Sequence, residues 1–285
     1  MATNEKINGI AWADGGLQSG SAVIFIHGFP LNRTLWGPQL EALAGSYRTV
    51  SYDVRGHGHS VIGDGQYSME LFVDDLMAGM DYFKIESAVL CGLSMGGYIA
   101  LRAVERHAGR FRGLVLCDTK SEADSDEVKI KRATAAQAVK NEGVQSFALG
   151  FIKTALSEKT FKTNPELVRS VLKMIQANSA PGIFGALMAM AGRTDTTVAL
   201  ANMHLPTLIM VGAEDKLTPP SVSEAMAKRM PHAVLQVIPD AAHLSNLENP
   251  DFFNQHLLAF LKPFSISPLI ANQAFSPIPV IASGV

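Results

Sequence analysis

The sequence is poor in cysteine, in excess charge and in long apolar runs, and each absence excludes a class of protein. Its 285 residues include two cysteines, Cys91 and Cys117, too few for a disulfide scaffold. Both lie in apolar stretches, which is typical of buried, reduced thiols, so we expect a cytoplasmic protein. The 24 Lys and Arg against 26 Asp and Glu give a net charge of -2. This balance lacks the positive excess that non-specific binding of nucleic acid needs.

Long apolar runs are missing as well. A membrane-spanning helix needs roughly 18 or more successive apolar residues, and no such run occurs, so we expect no membrane span. The first residues lack the basic and apolar segments of a signal peptide, so we expect no leader. What is present is a globular composition, with 47% hydrophobic and 18% charged residues and a mean hydropathy of +0.15. This composition excludes a disordered chain and predicts a sizeable core.

Short β-branched runs alternate with longer helical patterns along most of the chain. The predicted strands are nearly continuous apolar runs at 22–26, 48–52, 87–91, 113–117, 207–211 and 234–238. The helices predicted with them lie at 34–44, 69–83, 95–107, 221–230 and 250–261. Apolar strands of this kind belong to parallel sheets that are covered on both faces. The sequence therefore predicts an α/β fold with a doubly wound, mostly parallel sheet.

The alternation is interrupted once, between Asp118 and Leu205, where no strand is predicted. Four helical stretches take its place, at 125–142, 144–156, 165–178 and 181–191. We therefore predict an α/β core built from residues 1–120 and 196–262, with a helical insertion at 121–195. A C-terminal extension at 263–285 contains no charged residue. We expect this extension to dock on the body of the protein or on a partner subunit, which would make a homo-oligomer.

Residues 92–96 read Gly-Leu-Ser-Met-Gly and form the first motif with chemical content. The pentamer alone is weak evidence, because a glycine-serine turn without chemistry has the same letters. Its context is more specific, since it follows a buried strand and opens a helix, as a nucleophile elbow does. Glycines at both ends allow the tight turn that strains the serine backbone. Ser94 is the predicted nucleophile.

A serine hydroxyl needs a base to accept its proton and an acid to orient that base. In elbow-type folds these follow in the order serine, acid, histidine. Asp215 follows the strand at 207–211, and His243 follows the strand at 234–238. Loops at the carboxyl ends of parallel strands are where sites form, so Asp215 and His243 are the predicted acid and base. Glu214 and Asp118 stay open as alternative acids.

The remaining histidines have simpler interpretations. His57 and His59 belong to a glycine-rich turn, where a structural role is favoured over catalysis. No metal-ligand spacing is visible, because Val61 follows where a His-x-His-x-Asp site would need an acid. The serine chemistry needs neither a metal nor an organic cofactor, so we expect none.

An oxyanion needs backbone N–H donors that are already in place. Met95 follows the predicted nucleophile at a helix N-terminus and is the first candidate donor. The second should come from the loop after the strand at 22–26, where Phe29 is the candidate. Pro30 has no N–H to donate. A plain strand-ending turn at His27 and Gly28 is the alternative.

Together these motifs resemble the α/β-hydrolase superfamily over about residues 7–262. Within it, the chain is most similar to carboxylesterases and 3-oxoadipate enol-lactonase-like enzymes, on the sequences Leu-Cys-Asp-Thr-Lys at 116–120 and Arg-Thr-Asp at 193–195. The resemblance implies an α/β-hydrolase fold whose insertion is a helical cap over Ser94. It implies hydrolysis of a small-molecule ester or lactone, mostly apolar, through an acyl-enzyme.

Other activities of this superfamily are disfavoured by single residues. Haloalkane dehalogenases and epoxide hydrolases have an aspartate where this chain has Ser94. Carbon–carbon bond hydrolases place a tryptophan where this chain has Leu244, and perhydrolases or haloperoxidases place one where it has Phe29. A carbon–carbon bond hydrolase, a perhydrolase, a lyase and a binding protein with little turnover stay open as alternatives.

Substrate identity should depend on the insertion. The apolar run at 183–190 is favoured as core packing of a cap helix over a pocket wall. Lys131 and Arg132 would suit a carboxylate-bearing substrate, but we expect them on a solvated helix face. Arg193 and Asp195 are expected to pair locally.

Overall fold

A computed structural model describes residues 2–265. Most of the predicted extension at 263–285 lies outside the described residues, so its expected docking stays a prediction. The described residues build one sheet with the strand order β1-β2-β4-β3-β5-β6-β7-β8. Its strands are Thr3–Ile7 (β1), Ile10–Gly16 (β2), Ala22–Ile26 (β3), Arg48–Tyr52 (β4), Ala88–Leu93 (β5), Phe111–Cys117 (β6), Thr207–Gly212 (β7) and Ala233–Ile238 (β8).

The helices cover both faces of this sheet. They are Gly37–Leu43 (α1), Met69–Tyr82 (α2), Met95–His107 (α3), Asp126–Glu142 (α4), Val144–Ala155 (α5), Glu158–Thr163 (α6), Pro165–Gln176 (α7), Ala180–Ala191 (α8), Pro220–Ala227 (α9), Ser245–Glu248 (α10) and Pro250–Leu261 (α11). The fold class is confirmed, because β3 to β8 run parallel and only the two pairings of β2, with β1 and with β4, are antiparallel. None of the helices within residues 2–265 is long and apolar enough to cross a membrane.

The two strands at the N-terminal edge were not predicted. Strand β1 is the edge strand, and its residues Thr3–Lys6 are exposed, so it has no apolar alternation to read. Strand β2 carries Trp12, whose ring stacks on Tyr52 of β4 with centroids 4.2 Å apart. An antiparallel edge on a parallel sheet is common. A search for apolar strands misses β1 because it is polar, and misses β2 because its apolar run, residues 10–13, is short.

Buried strands divide their side chains between two cores. In β3, Val23 and Phe25 pack into one apolar cluster with Trp36, while Ile24 and Ile26 pack into the other. The alternation follows from the pleat, which points successive side chains to opposite faces of the sheet. Every residue of β3 is therefore apolar. The carboxyl ends of β3, β5, β6 and β7 lie side by side at one edge, where the predicted site residues begin.

Helices α4 to α8 lie between β6 and β7, so the described chain has a fifth helix, α6, beside the four predicted there. The short helix α6 has Ser157 as its N-cap, with the Ser157 hydroxyl accepting the Thr160 N–H at 3.1 Å. In α8, Ile183, Leu187 and Met190 are buried. This burial agrees with the predicted core packing of that run.

Two expectations about charged residues in the insertion are wrong. Arg132 is not solvated, because its guanidinium pairs with the fully buried carboxylate of Asp124. Arg193 does not pair with Asp195 but contacts Asp124 at 2.8 Å and lies over the Tyr98 ring, 4.2 Å from its centroid. An unpaired carboxylate is more costly when buried than at the surface, and this explains why both arginines pair with the buried Asp124.

Candidate active site

Ser94 lies in the turn between β5 and α3, in a backbone conformation that serine seldom adopts. Its φ is 54° and its ψ is -112°, in the positive-φ region that favours glycine. A side chain at Gly92 would overlap the Gly96 carbonyl, and one at Gly96 would overlap the Ile26 carbonyl. The two glycines are therefore required by close backbone approach, and the turn pushes the Ser94 side chain out at the end of the sheet.

Hydrogen bonds fix this turn to the neighbouring strand. The Ser94 N–H donates to the Cys117 carbonyl of β6 at 2.8 Å. The Thr119 hydroxyl donates to the Ser94 carbonyl at 2.8 Å, and the Gly97 N–H donates to the same oxygen at 2.9 Å. The strained residue is thus held from both sides, as strain at a functional position requires.

The structure brings Ser94, His243 and Asp215 together in one row of hydrogen bonds. His243 Nε2 lies 2.9 Å from Ser94 Oγ, and its Nδ1 lies 2.8 Å from Asp215 Oδ2. A carboxylate accepts only, so Nδ1 carries the proton and Nε2 is free to accept from the serine hydroxyl. His243 and Asp215 are buried. The contacts are of ordinary hydrogen-bond length in the resting protein.

Asp215 is held as an anion by several donors. Its Oδ1 accepts the N–H groups of Leu217 and Thr218 at 2.8 and 3.0 Å, and its Oδ2 accepts the Thr218 hydroxyl at 2.7 Å. Burial opposes the charge, but the charge and hydrogen bond of His243 and the Thr218 donors outweigh it, so the pKa of Asp215 lies below its ordinary value. Asp215 is therefore charged at neutral pH.

The pKa of His243 is shifted upwards by its carboxylate neighbours. Burial by itself lowers this pKa, but the charge and hydrogen bond of Asp215 raise it by more, and the charges of Asp118 and Glu248 add to the rise. The net pKa lies above the ordinary histidine value of 6.5. The surroundings thus favour the protonated form of this imidazole.

Asp118, one of the two alternative acids, does not touch the imidazole. Its Oδ1 accepts the Gly212 N–H at 2.8 Å, and its Oδ2 accepts the Ser245 hydroxyl. Burial raises the pKa of Asp118 well above its ordinary range, and the charge of Asp215 raises it further. Glu214, the other alternative, is exposed. The hydrogen-bond geometry favours Asp215 over both.

The two predicted oxyanion donors flank Ser94. Met95 is the first residue of α3, and the first N–H groups of a helix have no partner within it. The loop with Phe29 lies beside the turn, since a side chain at Gly28 would meet Ser94 Cβ at 3.2 Å. Among the described residues, neither the Phe29 nor the Met95 N–H donates to another backbone group. The role of Phe29 and Met95 as oxyanion donors stays a prediction.

Two buried histidines beside this loop have structural roles. His27 Nε2 accepts the Val54 N–H at 2.9 Å, and burial lowers the pKa of His27. Burial, with a smaller contribution from His27, lowers the pKa of His57 to about 3. Both imidazoles are neutral and hold the loop in place. Within residues 2–265, no group of three His, Cys, Asp or Glu residues could hold a metal ion.

Aromatic residues of the insertion contact residues 27–30, the loop after β3, which we call the oxyanion loop after its predicted role. The ring of Phe29 packs edge-on against Phe147 and Phe151 of α5, with centroids 5.8 and 6.1 Å apart. Phe147 and Phe151 themselves stack at 6.0 Å. This edge of the site is therefore apolar, and α5 contributes to it.

The comparison with protein families gives a match over residues 21–250 to the alpha/beta hydrolase fold. The chain belongs to the α/β-hydrolase family. The strained serine turn, strands β3 to β8 and the row of hydrogen bonds all occur inside the matched residues. The resemblance stated from the sequence is confirmed at this level.

Similar α/β-hydrolases include enzymes with different names. The chain is 29% identical to 3-oxoadipate enol-lactonase 1 of Acinetobacter baylyi, over 92% of this chain and 96% of that protein. It is 33% identical to the non-heme chloroperoxidase CPO-A1 of Kitasatospora aureofaciens, over 85% and 92%. Among solved structures, a thermophilic esterase from Thermogutta terrifontis is 35% identical with a TM-score of 0.88, over 93% of this chain and all of that one.

Sequence reasoning missed two residues of this hydrolase site. Thr218 follows Asp215 by three positions and donates to it, a local pattern that side chains of aspartate and threonine often make. This spacing is a signal that was available. Glu248 contacts the N–H of Ala242, and its other partners lie about 90 positions away in the chain, which no local pattern reveals.

Strain at Ser94 predicts that glycine is more stable than alanine at this position, the reverse of their usual order within a helix. We expect the Ser94→Gly variant to be more stable than the Ser94→Ala variant by about 1 kcal/mol or more, because glycine accepts a positive φ without a steric cost. Denaturant unfolding of both variants measures the difference. In an ordinary helix the order is reversed, so Ala133→Gly on the exposed side of α4 is the control and should lose about 1 kcal/mol. An alanine variant at position 94 as stable as the glycine variant would contradict the strain.

Proposed function

We propose that this chain is a serine hydrolase that cleaves small carboxylic esters or lactones through an acyl-enzyme. The observation that carries the proposal is the row of hydrogen bonds from Ser94 Oγ through His243 to Asp215. The names of its relatives, an enol-lactonase and an esterase, support carboxylic ester hydrolysis. In this proposal Ser94 is the nucleophile, His243 the general base and Asp215 its orienting acid.

The first half-reaction forms the acyl-enzyme. His243 Nε2 accepts the Ser94 hydroxyl proton as Ser94 Oγ bonds to the ester carbonyl carbon, and the carbonyl oxygen becomes an anion. The N–H groups of Phe29 and Met95 hold this oxyanion, and each such donor contributes roughly 3–4 kcal/mol. The imidazolium then gives its proton to the leaving alkoxide, and the acyl–oxygen bond breaks. An alcohol leaves, or in a lactone the alcohol end of the same molecule.

Water completes the second half-reaction. His243 accepts a proton from water as the hydroxide oxygen attacks the acyl carbon, and the same two N–H groups hold the new oxyanion. The proton returns to Ser94 Oγ as the carboxylic acid leaves. Asp215 keeps its charge throughout and stabilises the imidazolium, in keeping with its lowered pKa.

The insertion at 121–195 serves as a cap in this proposal. Its helix α5 contacts the oxyanion loop through Phe147 and Phe151, and the Ala155 carbonyl at its end accepts the His243 N–H at 3.1 Å. The insertion thus touches both the oxyanion side and the base side of the site. Residues 1–120 and 196–262 are the hydrolase core below it.

The acyl groups are short to medium and uncharged. Phe29, Phe147 and Phe151 make the described edge of the site apolar. A carboxylate-bearing substrate needs a cation, but of the two candidates Arg132 is bound to Asp124 and Lys131 lies on the exposed side of α4. Placing a second carboxylate beside the aromatic edge is unfavourable without such a partner.

Substitution of the serine tests the proposed chemistry. We expect a burst of about one p-nitrophenolate per enzyme from p-nitrophenyl butyrate, followed by a slower steady state, because acylation by this activated ester is faster than the deacylation that follows it. Ser94→Ala should abolish the burst and lower kcat by about 10⁴-fold or more. Stopped-flow absorbance measures both phases. Ser19→Ala, at an exposed serine, is the matched control and should change neither. Undiminished turnover of Ser94→Ala would refute the proposal.

A substrate series tests the apolar acyl site. We expect kcat/KM for uncharged p-nitrophenyl acetate, butyrate and octanoate to exceed that for lactones bearing a free carboxylate by about tenfold or more, since the charge loses its hydration without gaining a cation. Steady-state rates under matched conditions make the comparison. A strong preference for the carboxylate-bearing lactone would contradict the uncharged acyl group.

The same series run with hydrogen peroxide examines a second candidate, perhydrolysis, which the 33% identity to a chloroperoxidase favours. There the peroxide oxygen attacks the acyl-enzyme in place of water, and a peracid leaves while Ser94 regains its proton. Peracid formed faster than carboxylic acid would make perhydrolysis the main activity.

The pKa of His243 predicts the acid side of the pH profile. Its imidazole must be neutral to accept the Ser94 proton, so kcat/KM should fall at acid pH with a midpoint above 6.5. Asp215→Asn removes the charge that most favours the imidazolium, so the midpoint should move to lower pH. kcat should fall by about 10⁴-fold. Glu214→Gln, at the exposed neighbour, should leave the midpoint in place. An unmoved midpoint in Asp215→Asn would exclude Asp215 as the partner of His243.

A further inference from the structure

Glu248 joins the loop that carries His243 to the insertion. It is the last residue of the short helix α10, five positions after His243. Its Oε1 accepts the Ala242 N–H at 2.8 Å. Its Oε2 accepts the Ser157 N–H at 2.8 Å and the Thr160 hydroxyl at 2.6 Å. One carboxylate thus binds the residue before the histidine and the start of α6.

The same connection is made a second time by the backbone. The His243 N–H donates to the Ala155 carbonyl at the end of α5, at 3.1 Å. The insertion at residues 155–160 is therefore bonded to two successive N–H groups, directly to that of His243 and through Glu248 to that of Ala242. The hydrogen bonds are partly buried, because Ser157, Thr160 and Ala242 are buried and Glu248 is half-buried. Buried hydrogen bonds to a charged acceptor are stronger than neutral ones in water.

Helix α10 itself is anchored in the core. The Ser245 hydroxyl donates to Asp118, and the Asn246 side-chain amide donates to the Leu35 carbonyl at 3.1 Å. Glu248 lies at the far end of this fixed helix and reaches residues of the insertion. It therefore holds the insertion to a rigid element and not to a loose loop.

We propose that Glu248 is a positioning residue, which fixes the backbone of His243 against the α5–α6 part of the insertion. It touches neither substrate nor Ser94, and it acts through the placement of the imidazole. The proposal rests on the proposed function, in which His243 Nε2 accepts the Ser94 proton across 2.9 Å. Misplacement of a reacting group by about 1 Å can lower a rate by roughly a hundredfold, so a small displacement is measurable.

Two variants of Glu248 test this role. Glu248→Ala leaves three donors without their acceptor, and we expect kcat to fall about tenfold while KM changes less than about twofold, because the base and not the acyl site is displaced. Titration of active serines with an organophosphonate gives the number of competent sites, so kcat is expressed per competent enzyme. Glu158→Ala removes a carboxylate from the exposed side of α6 and is the control, with kcat and KM expected to be unchanged.

A second variant keeps the test valid where Glu248→Ala does not fold. Glu248→Gln keeps the size of the side chain and an acceptor for Ala242, but it presents an amide donor to the Ser157 N–H. We expect kcat per titrated site to fall in this variant as well, with KM held. A kcat per site equal to that of the unaltered protein in the folded Glu248 variants would overturn the positioning role.

A double-mutant cycle tests whether the connection to α6 carries the effect. Thr160→Val removes the hydroxyl donor with little change in shape, and we expect kcat to fall about threefold. Because both substitutions break one connection, the double variant Thr160→Val, Glu248→Ala should be no slower than Glu248→Ala alone. Effects that multiply to about thirtyfold would overturn the connection. Turnover retained in Ser94→Ala would refute the proposed function itself, whereas an inactive Ser94→Ala with unaltered Glu248 variants would refute only this inference.

Discussion

The turn between β5 and α3 is the constraint on which the rest of the site depends. Ser94 has a φ of 54°, and the glycines at 92 and 96 are needed because backbone carbonyls occupy the space of any side chain there. This turn places Ser94 Oγ at the carboxyl end of the sheet and leaves the Met95 N–H at the start of a helix. A turn without the positive φ at Ser94 would displace both groups. The same backbone conformation therefore positions the nucleophile and one oxyanion donor of the proposed mechanism.

Three buried ionisable groups share the space below this turn, and their environments separate them. Asp215 receives donors from Thr218 and a charge from His243, which lower its pKa. Asp118 accepts only a hydroxyl and one N–H, and burial raises its pKa well above the ordinary range. The pKa values of two carboxylates close to one imidazole are therefore shifted in opposite directions, because their hydrogen bonds and charged neighbours differ. This separation supports one acid next to His243 and gives Asp118 a structural place between two loops.

Two carboxylates order the insertion, one from within it and one from the core. Asp124 gathers Arg132 and Arg193 at the side nearest Tyr98, and Glu248 binds the start of α6 beside the histidine loop. The Asp124 pairs lie within the insertion, whereas Glu248 joins the core to residues about 90 positions earlier in the chain. In the proposed mechanism, helix α5 contacts the acyl site through Phe147 and Phe151, and its last residue accepts the backbone N–H of the base His243.

The sequence by itself determined the sheet class, the order of Ser94, Asp215 and His243, and the strand ends at which they lie. These are local signals, since apolar runs mark buried strands and a glycine-flanked serine marks a tight turn. The edge strand β1 was missed because its exposure removes the apolar pattern, and the buried strand β2 was missed because its apolar run is short and ends at Asp14. Only the tertiary structure shows that Asp215 and not Asp118 contacts His243, and that Arg193 pairs with Asp124 and not with Asp195. It also shows the contact between Glu248 and the start of α6. Each of these pairings is between side chains far apart in the chain, and burial selects among them by the free energy of leaving a charge or a donor unpaired.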